Sequence, residues 1–259
     1  MTSTDVDLDG LAVRLDQAAR TGVPIPQLAE THGIDVDTAY RVQQALIARR
    51  TGRGERLVGV KMGLTSKAKM VQVGVNEPIL GQLTDATQVA DGATVDLSGL
   101  IHPRAEPEIA FLLDRPPVTG MPFTDAVRAV APALEVIDSR YANFTFSLPD
   151  VIADNTSAAL FTIGQWQPVP DGIDNLGVLL DVDGRTVQTG STAAILGDPR
   201  RALAAGIALA DRHGPTLQAG WIFLAGAATA AVPLAPGSHV RATVQGLGTT
   251  AFTTTGGTP

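Results

Sequence analysis

Thr51-Gly-Arg-Gly-Glu-Arg-Leu-Val-Gly-Val-Lys-Met-Gly-Leu-Thr65 is the stretch where the chain changes character. Upstream of it, Leu8, Leu11, Leu15 and Ala18 recur at three- and four-residue steps, which lays apolar side chains along one helix face. Gly22 and Pro24 end that run. A second helix fits 37–50, with Asp37 as N-cap and Ala39, Val42 and Leu46 along one side. Downstream, short apolar runs punctuated by Gly, Pro and Asp predict a mainly β body. Its strands are expected over 57–65, 105–113, 133–140, 157–164, 176–183, 186–191, 221–225 and 240–243. Asp183-Gly184 reads as a hairpin turn with positive φ at both positions. Asp198 and Pro199 open a helix that closes at His213-Gly214, 124–131 reads as a shorter helix, and 253–259 reads as frayed. The class is α+β, with an N-terminal helical segment over 1–55 and a β-rich catalytic domain over 56–259, and no strong linker between them.

Composition narrows the function. The 259 residues are 44% hydrophobic and 17% charged, enough for a sizeable core. A net charge of −7 argues against nucleic acid, which needs a basic face. Without cysteine there is no disulfide, thiolate nucleophile or thiolate-zinc site, and with four scattered histidines any metal is held mostly by oxygen. The acidic start lacks a signal peptide's basic and apolar regions, and no apolar run approaches the roughly 18 residues of a membrane span. A small-molecule protein of the cytoplasm is the expectation.

Within 57–65 the two-residue period sets Val58, Val60, Met62 and Leu64 on one face and Gly59, Lys61, Gly63 and Thr65 on the other. Lys61 thus stands between glycines where a ligand can approach, although on spacing alone an edge-strand lysine with its head in water is the commoner outcome. In Arg104-Ala-Glu-Pro-Glu-Ile-Ala-Phe-Leu-Leu113, Glu106 and Glu108 share a face, and Pro107 marks an edge strand or strand start. Glu135 lies inside the apolar run 131–137, where a carboxylate needs a cation, a hydrogen-bond network or a metal. Asp138 and Arg140 on the opposite face read as an ion pair. Three glutamates on two strands make an oxygen-only site suited to Mg²⁺ or Mn²⁺. Asp154-Asn155, Gly190-Ser191 and Gly197-Asp198 are adequately explained as turns and caps. No phosphate loop, dinucleotide fingerprint or Gly-x-Ser-x-Gly elbow is present.

Five segments in order resemble the fumarylacetoacetate hydrolase superfamily, within it the group of 2-oxopent-4-enoate hydratases and 4-oxalocrotonate decarboxylases. They are Gly59-Val-Lys-Met-Gly-Leu-Thr-Ser-Lys67, Ile101-His-Pro-Arg-Ala-Glu-Pro-Glu-Ile-Ala-Phe111, Ala133-Leu-Glu-Val-Ile-Asp-Ser-Arg140, Ile152-Ala-Asp-Asn155 and Ala193-Ala-Ile-Leu-Gly-Asp-Pro199. The resemblance covers nearly the whole chain. It implies a mixed β-sandwich roll with an N-terminal helical portion. It also implies Glu106, Glu108 and Glu135 as magnesium ligands, Lys61 as an active-site lysine, and Thr65, Ile79, Asp154 and Ser191 as substrate-binding residues. The Glu-His pair of the superfamily's hydrolases has no counterpart here, which disfavours carbon–carbon hydrolysis.

Glu77-Pro78-Ile79-Leu80-Gly81 is similar to the decarboxylase pattern, where hydratases carry an acidic residue after the proline. The resemblance therefore implies metal-dependent loss of CO₂ from 2-oxohex-3-enedioate in meta-cleavage catabolism of aromatic compounds. The alternatives are a hydratase of 2-hydroxypenta-2,4-dienoate, or a non-catalytic partner that forms a complex with such a hydratase. On their residues alone 67–81 read as an amphipathic surface helix; the resemblance implies instead a lid over the substrate, with Gly74 and Gly81 as hinge points.

Overall fold

The structure is a computed structural model that describes residues 6–66 and 77–256. At the N-terminus, α1 (Leu8–Thr21) is capped by the Asp7 side chain, which accepts from Gly10 N–H, and stops at Gly22 in the left-handed region. A single turn, α2 (Ala29–His32), precedes α3 (Val36–Gly52). The cap of α3 is Asp35, not Asp37: Asp35 is extended and its carboxylate accepts from Thr38 N–H, whereas Asp37 already lies in the first turn, where its charge suits the helix dipole.

The body begins with β1 (Leu57–Gly63), β2 (Ile79–Thr84), β3 (Thr94–Asp96) and β4 (Arg104–Leu113). A short α4 (Phe123–Ala126) leads directly into the long β5 (Val127–Ile137), so most of the helix expected over 124–131 is strand. There follow α5 (Leu148–Ala153), β6 (Ala158–Ile163), the hairpin β7 (Gly177–Val182) and β8 (Arg185–Ser191), and α6 (Pro199–His213). The last strands are β9 (Ile222–Ala225), β10 (Val232–Pro233), β11 (His239–Val244) and β12 (Gly248–Thr255). Asp183 and Gly184 both take positive φ, as the hairpin turn requires. The sequence pattern missed β2 because all six of its residues are buried, which erases alternation. It missed β12, and called 253–255 frayed, because threonines fill inward positions there; buried Thr254 donates to the Ala235 carbonyl.

Two sheets form. The larger runs β2-β1-β9-β4-β5-β6 with β10 paired to the start of β4, and the smaller runs β3-β12-β11-β7-β8. Val60, Met62, Phe111 and Phe223 of the larger sheet join Leu15, Leu46, Leu203 and Ile207 of the helices in one apolar cluster. Ala105, Leu134 and Val136 pack instead on Leu180, Val240 and Phe252 of the smaller sheet. Pro107 is interior to β4 rather than at an edge. Its carbonyl accepts from Ala228 N–H in the gap where the chain runs between β9 and β10, and its missing donor falls on that gap.

The larger sheet curls until its outer strands face each other. The Asn155 side chain bridges toward β2: Gln82 N–H donates to Oδ1 at 2.8 Å and Nδ2 donates to the Gln82 carbonyl at 2.9 Å, a stand-in for a strand pair. Among the described residues no helix is long and apolar enough to cross a membrane. Buried Asp150 ties the N-terminal segment down, accepting from Leu28 N–H at 2.9 Å and Ala29 N–H at 2.8 Å while closing the α5 capping box with Ser147. Asp150→Ala leaves these buried donors unmet, so urea unfolding is expected to show a loss of about 2–4 kcal/mol.

Candidate active site

The β4–β5 register sets Glu106 directly opposite Glu135 and Glu108 opposite Ala133, so strand alternation brings all three carboxylates to one face. One oxygen from each lies within 4.8 Å of the others, and all three residues are buried. Like charges directly opposite on a sheet destabilise it, and burial sharpens the repulsion. A cation is what such a set fits. Room for Glu108 comes from Gly226: a Cβ there would stand 2.4 Å from the carboxyl carbon.

Lys61 supplies one positive charge. It is 3% exposed, on a strand flanked by β2 and β9, so the edge position with a solvated head does not occur. Its Nζ lies 3.1 Å from Glu135 Oε2 and donates to the Thr156 carbonyl at 3.1 Å. That carbonyl is aimed by a turn in which Asn155, Thr156 and Ser157 all take positive φ (49, 54 and 59°). Left-handed backbone costs roughly 1–2 kcal/mol per residue. The Asn155 amide bonds and the Asp138 N–H, which donates to the Ser157 carbonyl at 2.8 Å, offset it. Gly81, opposite Lys61 in the register, is a point of close approach rather than a hinge, since a Cβ would meet Thr156 Oγ1 at 2.2 Å. Three glutamate side chains brought together are a donor set that suits a hard divalent cation, all oxygen and without histidine.

A cavity of about 790 Å³ opens beside the cluster, and Lys61, Glu106, Ile79, Arg104, Phe144 and Ser157 are among its lining. Ile79 is where the sequence placed it. Three other expected residues are not in the lining. The Thr65 hydroxyl is turned to the Gly226 carbonyl, donating at 2.6 Å. Ser191 donates to Asn175 Oδ1 at 2.7 Å and caps the next turn, so it is the following Ala194 that reaches the cavity. Asp154 is fully buried behind the Asn155–Ser157 turn and pairs with Arg140, which also donates to the Asp138 carbonyl at 2.6 Å. The expected Asp138–Arg140 ion pair is therefore not formed: the Asp138 carboxylate instead accepts from Ile101 and His102 N–H. Burial pushes the Asp154 carboxyl up to about 6, against the pull of Arg140. Residues 67–76 of the expected lid lie outside the described residues, and Ile79–Gly81 belong to β2.

Sequence reasoning missed Arg104, Phe144, Thr156 and Ser157. Asn155-Thr-Ser157 gave the signal only as a polar triplet, because three consecutive positive φ values at residues other than glycine are not legible in residue types. Asp154→Asn strands the buried Arg140 guanidinium, and thermal or urea unfolding is expected to show a loss of about 3–5 kcal/mol.

A family model described as fumarylacetoacetate (FAA) hydrolase C-terminal matches residues 56–255. A 4-oxalocrotonate decarboxylase from Pseudomonas sp is 51% identical over 95% of this chain and 97% of its own. A 2-keto-4-pentenoate hydratase from Paraburkholderia xenovorans is 37% identical over 92% of this chain and 91% of its own. Among solved structures, 4-oxalocrotonate decarboxylase from Pseudomonas putida G7, complexed with magnesium and adipate, superposes with a TM-score of 0.92 at 38% identity, covering 98% of this chain and 99% of its own.

Proposed function

The chain belongs to the fumarylacetoacetate hydrolase family, and we propose that it is a lyase that decarboxylates 2-oxohex-3-enedioate (4-oxalocrotonate) to 2-hydroxypenta-2,4-dienoate and CO₂. The observation that carries this reading is the cavity whose lining joins Lys61 and Glu106, one member of the buried Glu106–Glu108–Glu135 cluster, to the apolar Ile79, in a chain half identical to a decarboxylase of that substrate. Support for magnesium comes from the donor set and from the relative that holds it together with a six-carbon diacid.

Glu106, Glu108 and Glu135 would hold Mg²⁺, with Mn²⁺ an acceptable substitute. Bound there, the ion supplies Lewis-acid polarisation of a 2-oxo acid. The remaining work falls to the chain. The C5–C6 bond of the diacid breaks, CO₂ leaves, and the electron pair moves through the alkene to the C2 oxygen. Lys61, held by Glu135 and the Thr156 carbonyl, faces that growing charge and donates a hydrogen bond to it. One proton taken up by the dienolate completes the balance. Ile79, Leu64 and Val151 line the cavity and keep water from the carbon chain.

The hydratase is the second reading, favoured by the 37% identical relative. Adding water requires proton transfer at the distal carbons, for which Ile79 offers no group. A cytoplasmic setting and a complex with a hydratase of the same route complete the proposal; co-elution of the two proteins tests the complex.

Incubation with 2-oxohex-3-enedioate and Mg²⁺ is expected to release one CO₂ per substrate, whereas 2-hydroxypentadienoate is left unhydrated. Hydration without CO₂ release would overturn the reading. Glu135→Gln is expected to abolish both turnover and the Mg²⁺-dependent rise in Tm. Lys61→Met is expected to lower kcat by about 10²-fold or more while Mg²⁺ still binds, measured by steady-state kinetics and calorimetry.

A further inference from the structure

We propose that Arg104 makes the cavity select dicarboxylates, by receiving the substrate carboxylate that stands away from the glutamate cluster. This inference rests on the proposed decarboxylation and names its specificity residue.

Arg104 opens β4 and alternates onto the same face as Glu106 and Glu108. At about 3.4 Å per strand residue its Cα stands about 7 Å from that of Glu106, a span that a six-carbon chain crosses. Both residues line the one cavity. Lys61 and Arg104 are the only cations in that lining among the described residues, and Lys61 is engaged by Glu135 and the Thr156 carbonyl.

Arg104 is held differently. Its guanidinium lies over the Phe144 ring, 4.3 Å from the centroid, and among the described residues no oxygen accepts from it. Stacking uses the face of the guanidinium and leaves the N–H edge, whose fork matches a carboxylate. Phe144 is itself constrained, with φ at 55° and His102 and Phe146 as ring neighbours at 6.0 and 5.5 Å. The cation thus rests on a ring that has its own neighbours before any ligand arrives. Buried Arg140 shows the contrast: its guanidinium is taken up by Asp154 and backbone carbonyls.

A guanidinium on the departing carboxylate stabilises the ground state more than the transition state, so the contact serves selection rather than the chemical step. A monocarboxylate gives Arg104 no partner at that end of its chain.

The test compares 2-oxoadipate with 2-oxohexanoate, two saturated 2-oxo acids that differ only at the second carboxylate, by calorimetry with Mg²⁺ present. The wild type is expected to favour the diacid by about tenfold to a hundredfold, the worth of a charge-assisted pair. Arg104→Met is expected to erase that preference by weakening the diacid alone, and Arg104→Lys to keep part of it. Equal weakening of both acids would make Arg104 a prop for Phe144 and overturn the proposal, as would a preserved preference in Arg104→Met. Should Arg104→Met fail to fold by circular dichroism, full wild-type preference in Arg104→Lys, which lacks the fork, would overturn it. A wild type that binds both acids equally would sink the selector alone, whereas one that binds neither would sink the decarboxylase reading with it.

Discussion

Lys61 reaches Glu135 only because the larger sheet curls far enough for two strands that are not neighbours to face each other across its concave side. β1 and β5 are separated by β9 and β4 in the strand order, yet Nζ and Oε2 are 3.1 Å apart. The curl is fixed where the outer strands meet, by the Asn155 amide on the Gln82 backbone. The same turn exposes the Thr156 carbonyl to Lys61 and leaves no room for a side chain at position 81. One amide side chain thus couples sheet closure, backbone strain and the placement of the site's ammonium.

The electrostatics follow from that closure. Three buried carboxylates meet beside the Lys61 ammonium, and a divalent cation that binds the folded state and not the unfolded chain adds RT ln(1 + [L]/Kd) to stability. The helices, packed on the opposite face of the sheet, hold the strands that carry the site from behind.

What the sequence revealed tracks how local the cause is. Helix ends capped by Asp198 or stopped by Gly22 depend on neighbouring residues, and both were readable. Glu106 and Glu108 shared a face by strand alternation, but their meeting with Glu135 needed a register that no pattern within either strand specifies. Glu135 was conspicuous only as a charge in an apolar run. Thr65, Ser191 and Asp154 had reasons visible only in three dimensions: a carbonyl at Gly226, a side chain at Asn175, a guanidinium at Arg140. Each polar group was taken by the protein before a ligand could claim it. Arg104 is the converse case, a residue unremarkable in sequence whose significance is that a phenylalanine ring, not a carboxylate, holds it.

The cavity lining mixes charged and apolar residues, and that mixture bears on which reaction it suits. Lys61, Glu106 and Arg104 line it together with Leu64, Ile79, Val151 and the small residues Ala227, Ala228 and Ala230. Loss of CO₂ moves negative charge from the C6 carboxylate to the C2 oxygen, and an ammonium such as that of Lys61 favours the charge where it arrives. Hydration has a different demand, since a proton and a hydroxyl must be delivered to the distal carbons of the chain. Among the described lining residues the ionisable candidates for proton work are Lys61 and Glu106, and Lys61 is already engaged by Glu135 and the Thr156 carbonyl. Ile79 offers no ionisable group at its place in the lining. With a hydratase 37% identical over 92% of this chain, what separates the two reactions is to be sought in lining residues of this kind rather than in the fold.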